Sequence, residues 1–265
     1  MRLLSAVVAI PVLLALLYFG PPWGWALFLA LALAVGALEL FGMTHPLDRA
    51  SRILGVLLSL GVMATLWFFT TNAAALVAML FLLPTAALFI TLARLGSIET
   101  AALRAMAMGF GPLYLGGGLG SVALLRRDGG PGFVLLALVL SWFSDTGAYF
   151  AGRFLGKHKL YEAVSPKKTI EGALGGLAAA VIGAVVGHYL YLKSLPLNHA
   201  IVLGLVAGAA GQAGDLAESM IKRSAGVKDS GGIVPGHGGI LDRVDALMVT
   251  GTFTYIYVLF FWPRP

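Results

Sequence analysis

The residues best suited to chemistry lie in one glycine-rich stretch, residues 219–245, which reads SMIKRSAGVKDSGGIVPGHGGILDRVD. It holds Lys222, Arg223, Lys228, Asp229, His237, Asp242, Arg243 and Asp245. Two further acids, Asp145 and Asp215, stand near the ends of otherwise apolar runs. Four carboxylates in a chain without cysteine suit magnesium, a hard cation that binds through one or two carboxylates, waters and substrate phosphates. The plainer alternative is that each acid pairs with a neighbouring Arg or Lys. On a helix, Asp215, Glu218, Ser219 and Lys222 are spaced i, i+3, i+4, i+7 and share a face, and Asp242 and Asp245 lie one turn apart. Two helix ends are thus expected to present carboxylates toward a common point.

Cations accompany the acids. Lys167, Lys168, Lys222, Arg223, Lys228 and Arg243 are many for a chain in which only 11% of residues are charged. In SPKKT, Ser165 is expected to cap a helix that begins at Pro166, so that two lysines stand at a phosphate-binding helix start. The glycines of DSGGIVPGHGG let backbone approach a phosphate. His237 suits a general acid, a phosphate donor or a loop hydrogen-bonder. His45, His158, His188 and His199 lack such company and are expected to be structural or interfacial. No nucleophile elbow or Ser-His-Asp order is visible, which removes support for covalent catalysis. Carboxylates for magnesium beside clustered cations point to phosphoryl or nucleotidyl transfer. Their placement at the edge of apolar spans makes one substrate a lipid.

The elements that must position these groups are membrane helices. Of 265 residues, 59% are hydrophobic, too many for a water-facing surface, and a helix needs about 20 apolar residues to cross a bilayer. The expected fold is an all-α integral membrane protein, a polytopic bundle of about nine transmembrane helices with its active site at the cytoplasmic face. The first span, from Arg2 to Phe19, is expected to be retained, because no small-x-small cleavage site follows it. The others are expected near residues 23–41, 53–69, 73–93, 105–125, 133–150, 173–192, 199–218 and 244–262. Five spans in residues 1–132 would form an amino-terminal, lipid-facing or oligomer-facing region, and four in residues 133–265 the catalytic region, the two expected to be parts of one structural unit. Glu39, near the inner end of the second span, is expected either to reach the headgroup layer, the slightly favoured reading, or to face the polar site. GFGPLYLGGGLG in the fifth span is expected to be irregular or closely packed. With a cytoplasmic amino terminus, all 18 Lys and Arg except Arg126, Arg127, Lys193 and Arg264 fall on inner segments, following the positive-inside rule.

At this point the chain resembles the phosphatidate cytidylyltransferases, or CDP-diacylglycerol synthases. The pattern S-x-x-K-R-x4-K-D, a glycine-rich link, then H-G-G-x-x-D-R-x-D is matched by Ser219, Lys222, Arg223, Lys228, Asp229, His237, Gly238, Gly239, Asp242, Arg243 and Asp245. SDTGAYFAGRFLGK and SPKKTIEG resemble upstream blocks of that family, whereas the first 130 residues are similar only in hydropathy and span number. The resemblance implies a nucleotidyltransferase of phospholipid biosynthesis in the inner (cytoplasmic) membrane. CTP and phosphatidate would give CDP-diacylglycerol and pyrophosphate with magnesium, and the enzyme would be a homodimer. It implies that Asp215 and Asp242 bind metal, with Asp145 and Asp245 as direct or indirect support. Ser165, Lys167, Lys168, Thr169, Ser219, Lys222, Arg223, Lys228, Asp229, His237, Gly238, Gly239 and Arg243 would then contact substrate. The catalytic set is Asp215, Asp242, Asp245, Lys222, Arg223 and His237. A second metal beside magnesium, such as K+, is left open, since nothing in the sequence reads it. Two rivals remain: a CTP-dependent kinase for a polyprenol or phytol-type alcohol, and an ion-coupled transporter, whose site would lie nearer the midplane.

Overall fold

In the computed structural model, which describes residues 2–232 and 238–262 with side chains from Ile10 onward, the chain is almost wholly helical. Helices α1 (Arg2–Phe19), α2 (Pro22–Thr44), α3 (Arg49–Phe69) and α4 (Ala73–Ala93) come first. Next, α5 (Ala101–Pro112) and α6 (Gly118–Leu124) form one run to Gly129, interrupted by π-helical turns at Leu113–Gly117 and Leu125–Gly129. They are followed by α7 (Pro131–Leu155), a hairpin of β1 (Lys159–Tyr161) and β2 (Ser165–Thr169), α8 (Ile170–Leu190), α9 (Leu197–Ser224) and α10 (Leu241–Phe261). Among the described residues, eight helices are long and apolar enough to span a bilayer, every one from α2 onward with α5 and α6 counted together. The chain is a multi-pass membrane protein. Of the nine expected spans, the first corresponds to α1, an 18-residue helix whose described side chains begin only at Ile10. The fourth lies at its expected bounds.

The chain divides into two compact units, Met1–Leu124 with Asp229–Asp242, and Leu125–Lys228 with Arg243–Pro265. In the first, the buried side chains of Trp25, Leu33, Phe41, Met108, Leu115 and Leu119 form the core. The glycine-rich run is both irregular and closely packed, as expected. A Cβ on Gly116 would collide with the Ser59 carbonyl and come 2.9 Å from Val62. Such approach matters because lipid is as apolar as leucine, so membrane helices associate mainly through close packing and hydrogen bonds. Asp48 caps α3, accepting from the Ser51 amide at 3.2 Å. The Arg94 guanidinium, 2.7 Å away, holds the Asp48 carboxyl well below the usual carboxylate range.

In the second unit, α7 and α8 pack most extensively. A Cβ on Gly147 would lie 2.7 Å from the Gly175 carbonyl, and one on Gly176 would lie 2.7 Å from the Ser144 carbonyl. Small residues also seat α9 on α8, through Gly204 and Gly208, and α10 on α9, where Gly214 faces Val249 and the Asp245 carbonyl. The β-hairpin corrects the reading of SPKKT as a helix start. Ser165–Thr169 is a strand antiparallel to β1, Lys159 pairing with Thr169 and Tyr161 with Ser165. The helix begins four residues after Pro166, at Ile170, where the Thr169 hydroxyl caps the Gly172 amide at 3.1 Å. Pairing prevailed over the local Ser-Pro signal because other contacts fix the hairpin to the α8 start. The Glu171 carboxylate accepts from the amides of Lys157 and His158 at 3.1 and 3.2 Å, and Ile170 N–H donates to the His158 carbonyl at 2.9 Å.

Candidate active site

The second unit contains a pocket of about 260 Å³ between the carboxyl-terminal half of α7, the hairpin, the start of α8 and the middle of α9. Asp145, Lys167, Lys168, Thr169 and Asp215 line it together. Five residues separated by up to 70 positions thus reach one cavity, all of them named from sequence. Lys168 Nζ lies 2.6 Å from an Asp215 carboxylate oxygen, and both side chains are about 30% exposed. The pair is open to the pocket and available to a ligand. Lys167 is exposed. Both lysines immediately precede α8, whose amino terminus carries a partial positive charge that favours anions. The two lysines still stand at a helix start, four residues later than expected and reached from a strand.

Sequence reasoning missed Gln212, which lines the same pocket. Its amide donates to Ser144 Oγ at 3.0 Å and to the Ala173 carbonyl at 3.1 Å, linking α9 to α7 and α8. The available signal was an amide three residues before Asp215, within an otherwise apolar run of the helix. Replacing it with Leu is expected to cost about 1 kcal/mol, the usual worth of interhelical hydrogen bonds in membranes. Thermal unfolding in detergent would read this as a Tm lower by several degrees. Tyr149 and Arg153 also line the pocket, the guanidinium donating to the phenol oxygen at 2.7 Å.

Other expected residues of this unit lie outside that lining. Lys222 is buried in an ion pair with the fully buried Glu218. Arg223 is exposed and donates to the Val227 carbonyl at 2.9 Å, and Lys228 and Arg243 are exposed. Ser219 and Asp245 are half-buried, and the Asp245 carboxylate accepts from the Ala246 amide at 2.7 Å. Ser165 is half-buried in β2. The four histidines expected to be structural each have a local partner: His45 with Thr44, His158 with Glu171, His188 with the Leu195 carbonyl and His199 with Tyr257.

In the first unit, Asp242 accepts at Oδ2 from Ser230 N–H at 3.0 Å and from Gly239 N–H at 2.8 Å, with Ser230 Oγ at 2.9 Å. Asp229 is exposed, and His237 lies outside the described residues. Gly238 has φ +78°, where a side chain is strained, and its Cβ would sit 2.8 Å from Asp242 Oδ2. Glu39 takes the second of its two expected placements, turned toward the glycine-rich motif and away from a headgroup position. It is 7% exposed and accepts from the Ile240 amide at 3.1 Å and the Leu241 amide at 2.9 Å.

Comparison with known proteins decides the family. The profile described as the Cytidylyltransferase family matches residues 1–261. The chain belongs to this family. Relatives named phosphatidate cytidylyltransferase from Staphylococcus haemolyticus, Staphylococcus aureus and Bacillus subtilis are 47%, 49% and 42% identical over 122, 124 and 129 residues. These matches cover 46%, 46% and 49% of the chain, and 47%, 47% and 48% of the relatives. The chain spans about half the length of the curated cytidylyltransferase relatives it matches.

Whether magnesium fits this pocket is a question of donors. Among the described residues no group of three or more His, Asp or Glu side chains is arranged to hold a metal. Two carboxylates, Asp145 and Asp215, line the pocket. That suits an ion that keeps several waters and takes the rest of its shell from substrate phosphates, rather than one needing a full protein cage.

Proposed function

We propose that the chain is a phosphatidate cytidylyltransferase that converts CTP and phosphatidate to CDP-diacylglycerol and pyrophosphate. The observation that carries this reading is the shared pocket of Asp145, Asp215, Lys167 and Lys168 in a member of the cytidylyltransferase family. A phosphatidate oxygen attacks the α-phosphorus of CTP, a new P–O bond forms, and the bond to the β-phosphate bridging oxygen breaks. The nucleophile is already anionic, so no strong general base is required. The barrier comes from bringing two anions together and from charge on the departing pyrophosphate. Lys167 and Lys168, at the positive end of α8, reduce the first term and hold phosphates in line. Arg223 and Lys228 are assigned to phosphates on their charge, exposure and shared motif, Arg243 to a phosphate or to orienting an acid, and Lys222, already paired with Glu218, to this set on the motif alone.

Asp145 and Asp215 would hold magnesium, with Asp242 and Asp245 as the remaining acids of the set. When bound, the ion supplies Lewis-acid neutralisation of phosphate oxygens. We further assign the enzyme to the cytoplasmic membrane with its amino terminus inside, supported by the Lys and Arg distribution, and to a homodimer, supported by the family resemblance.

Labelled CTP and phosphatidate in detergent micelles, with and without magnesium, test the reading. Magnesium-dependent CDP-diacylglycerol with release of pyrophosphate is the expected result. Release of CDP would make the protein a kinase. Ion flux across liposomes without nucleotide would make it a transporter.

A further inference from the structure

We propose that Glu39 is a positioning residue for this reaction: from α2 its carboxylate caps the start of α10 and fixes the segment that carries Asp242. The proposal rests on the functional reading above. A helix start leaves its first amides without intrahelical partners, and a side chain just upstream usually supplies the acceptor. Here the residues just upstream are the glycines Gly238 and Gly239 followed by Ile240, which have no acceptor to offer. Glu39, about 200 positions away in the chain, accepts from Ile240 N–H at Oε1 (3.1 Å) and from Leu241 N–H at Oε2 (2.9 Å).

The same carboxylate is joined to Asp242 through Ser230. The buried Ser230 hydroxyl lies 3.1 Å from Glu39 Oε2 and 2.9 Å from Asp242 Oδ2. The hydroxyl has one proton to give, which the two acids share or compete for, so Ser230 links the seats of both. The glycines around it are shaped by this arrangement. A Cβ on Gly231 would come 2.5 Å from Glu39 Oε1, and one on Gly239 would collide with Ser230 Oγ and Glu39 Oε2. The glycines of the motif make room for Glu39, an acid that lies outside the motif. Glu39 is the sole acid of a 23-residue helix that is otherwise apolar. A carboxylate at membrane depth is costly to keep and usually tied to function.

Glu39→Gln keeps the shape but turns an NH2 group toward one set of donors. Losing a charged acceptor here is expected to lower kcat about tenfold or more. The KM for phosphatidate should stay within about twofold, because positioning Asp242 acts on the reacting phosphates and leaves lipid docking alone. Trypsin cleavage after the exposed Lys228 should be about fivefold faster, since the segment beyond it opens more often. Glu39→Asp should recover part of both effects. Wild-type kcat and cleavage in Glu39→Gln would overturn the proposal, and so would lost activity with unchanged cleavage. Should Glu39→Gln not yield folded protein, Ser230→Ala decides by the same two readouts, unchanged values again overturning it. If the wild-type chain makes no CDP-diacylglycerol, the functional reading fails, while faster cleavage in Glu39→Gln still shows the clamp.

Discussion

Replacing Asp215 with Asn is expected to lower cytidylyl transfer by about 10³-fold, on the order of 4 kcal/mol of transition-state stabilisation, with the fold retained. Asn has nearly the volume of Asp, and the side chain is about one-third exposed to the pocket, so packing changes little. Two things are lost together: a hard oxygen donor and the anionic partner of Lys168, 2.6 Å away. The ammonium then loses its nearest anion and binds phosphate more tightly in the ground state. kcat should therefore fall while affinity for CTP holds or rises. Turnover and isothermal titration with CTP, alongside a melting curve, check this. Loss of CTP binding equal to the loss of kcat would assign Asp215 to ground-state binding instead. Lys168→Gln in the Asp215→Asn background should then cost less than Lys168→Gln alone, because the two side chains act as a unit.

The second large effect is expected for Asp242→Asn. Two amides and a hydroxyl converge on one carboxylate oxygen of Asp242. An amide side chain satisfies them only by keeping its oxygen in that place, which puts an NH2 group where the other carboxylate oxygen was. The local fold should survive, and a hard donor is lost from the acid set. Turnover is expected to fall by about 10²–10³-fold, with the magnesium concentration for half-maximal rate rising. Retained magnesium-dependent turnover in a folded Asp242→Asn protein would remove this residue from the metal set. Comparison with Glu39→Gln is informative, since that change leaves the Asp242 carboxylate intact and disturbs only its seat.

The sequence by itself determined the class of the protein and most of its helices. Hydropathy acts locally, and a bilayer of given thickness converts an apolar run into a span of given length. It also picked out Asp145, Lys167, Lys168 and Asp215, because charge in an apolar chain is rare and its chemistry is a property of residue type. Tertiary structure alone decided three matters. It made SPKKT a strand, because Glu171 and the His158 backbone hold the hairpin at the start of α8, and these contacts outweigh a Ser-Pro signal. It made Gln212 a link between three helices, through partners in α7 and α8 that no spacing within α9 could reveal. It turned Glu39 inward to cap a helix about 200 residues away. Hydrogen-bond partners distant in the chain are set by which helices pack together, and that packing is chosen by small residues whose faces carry little local signal.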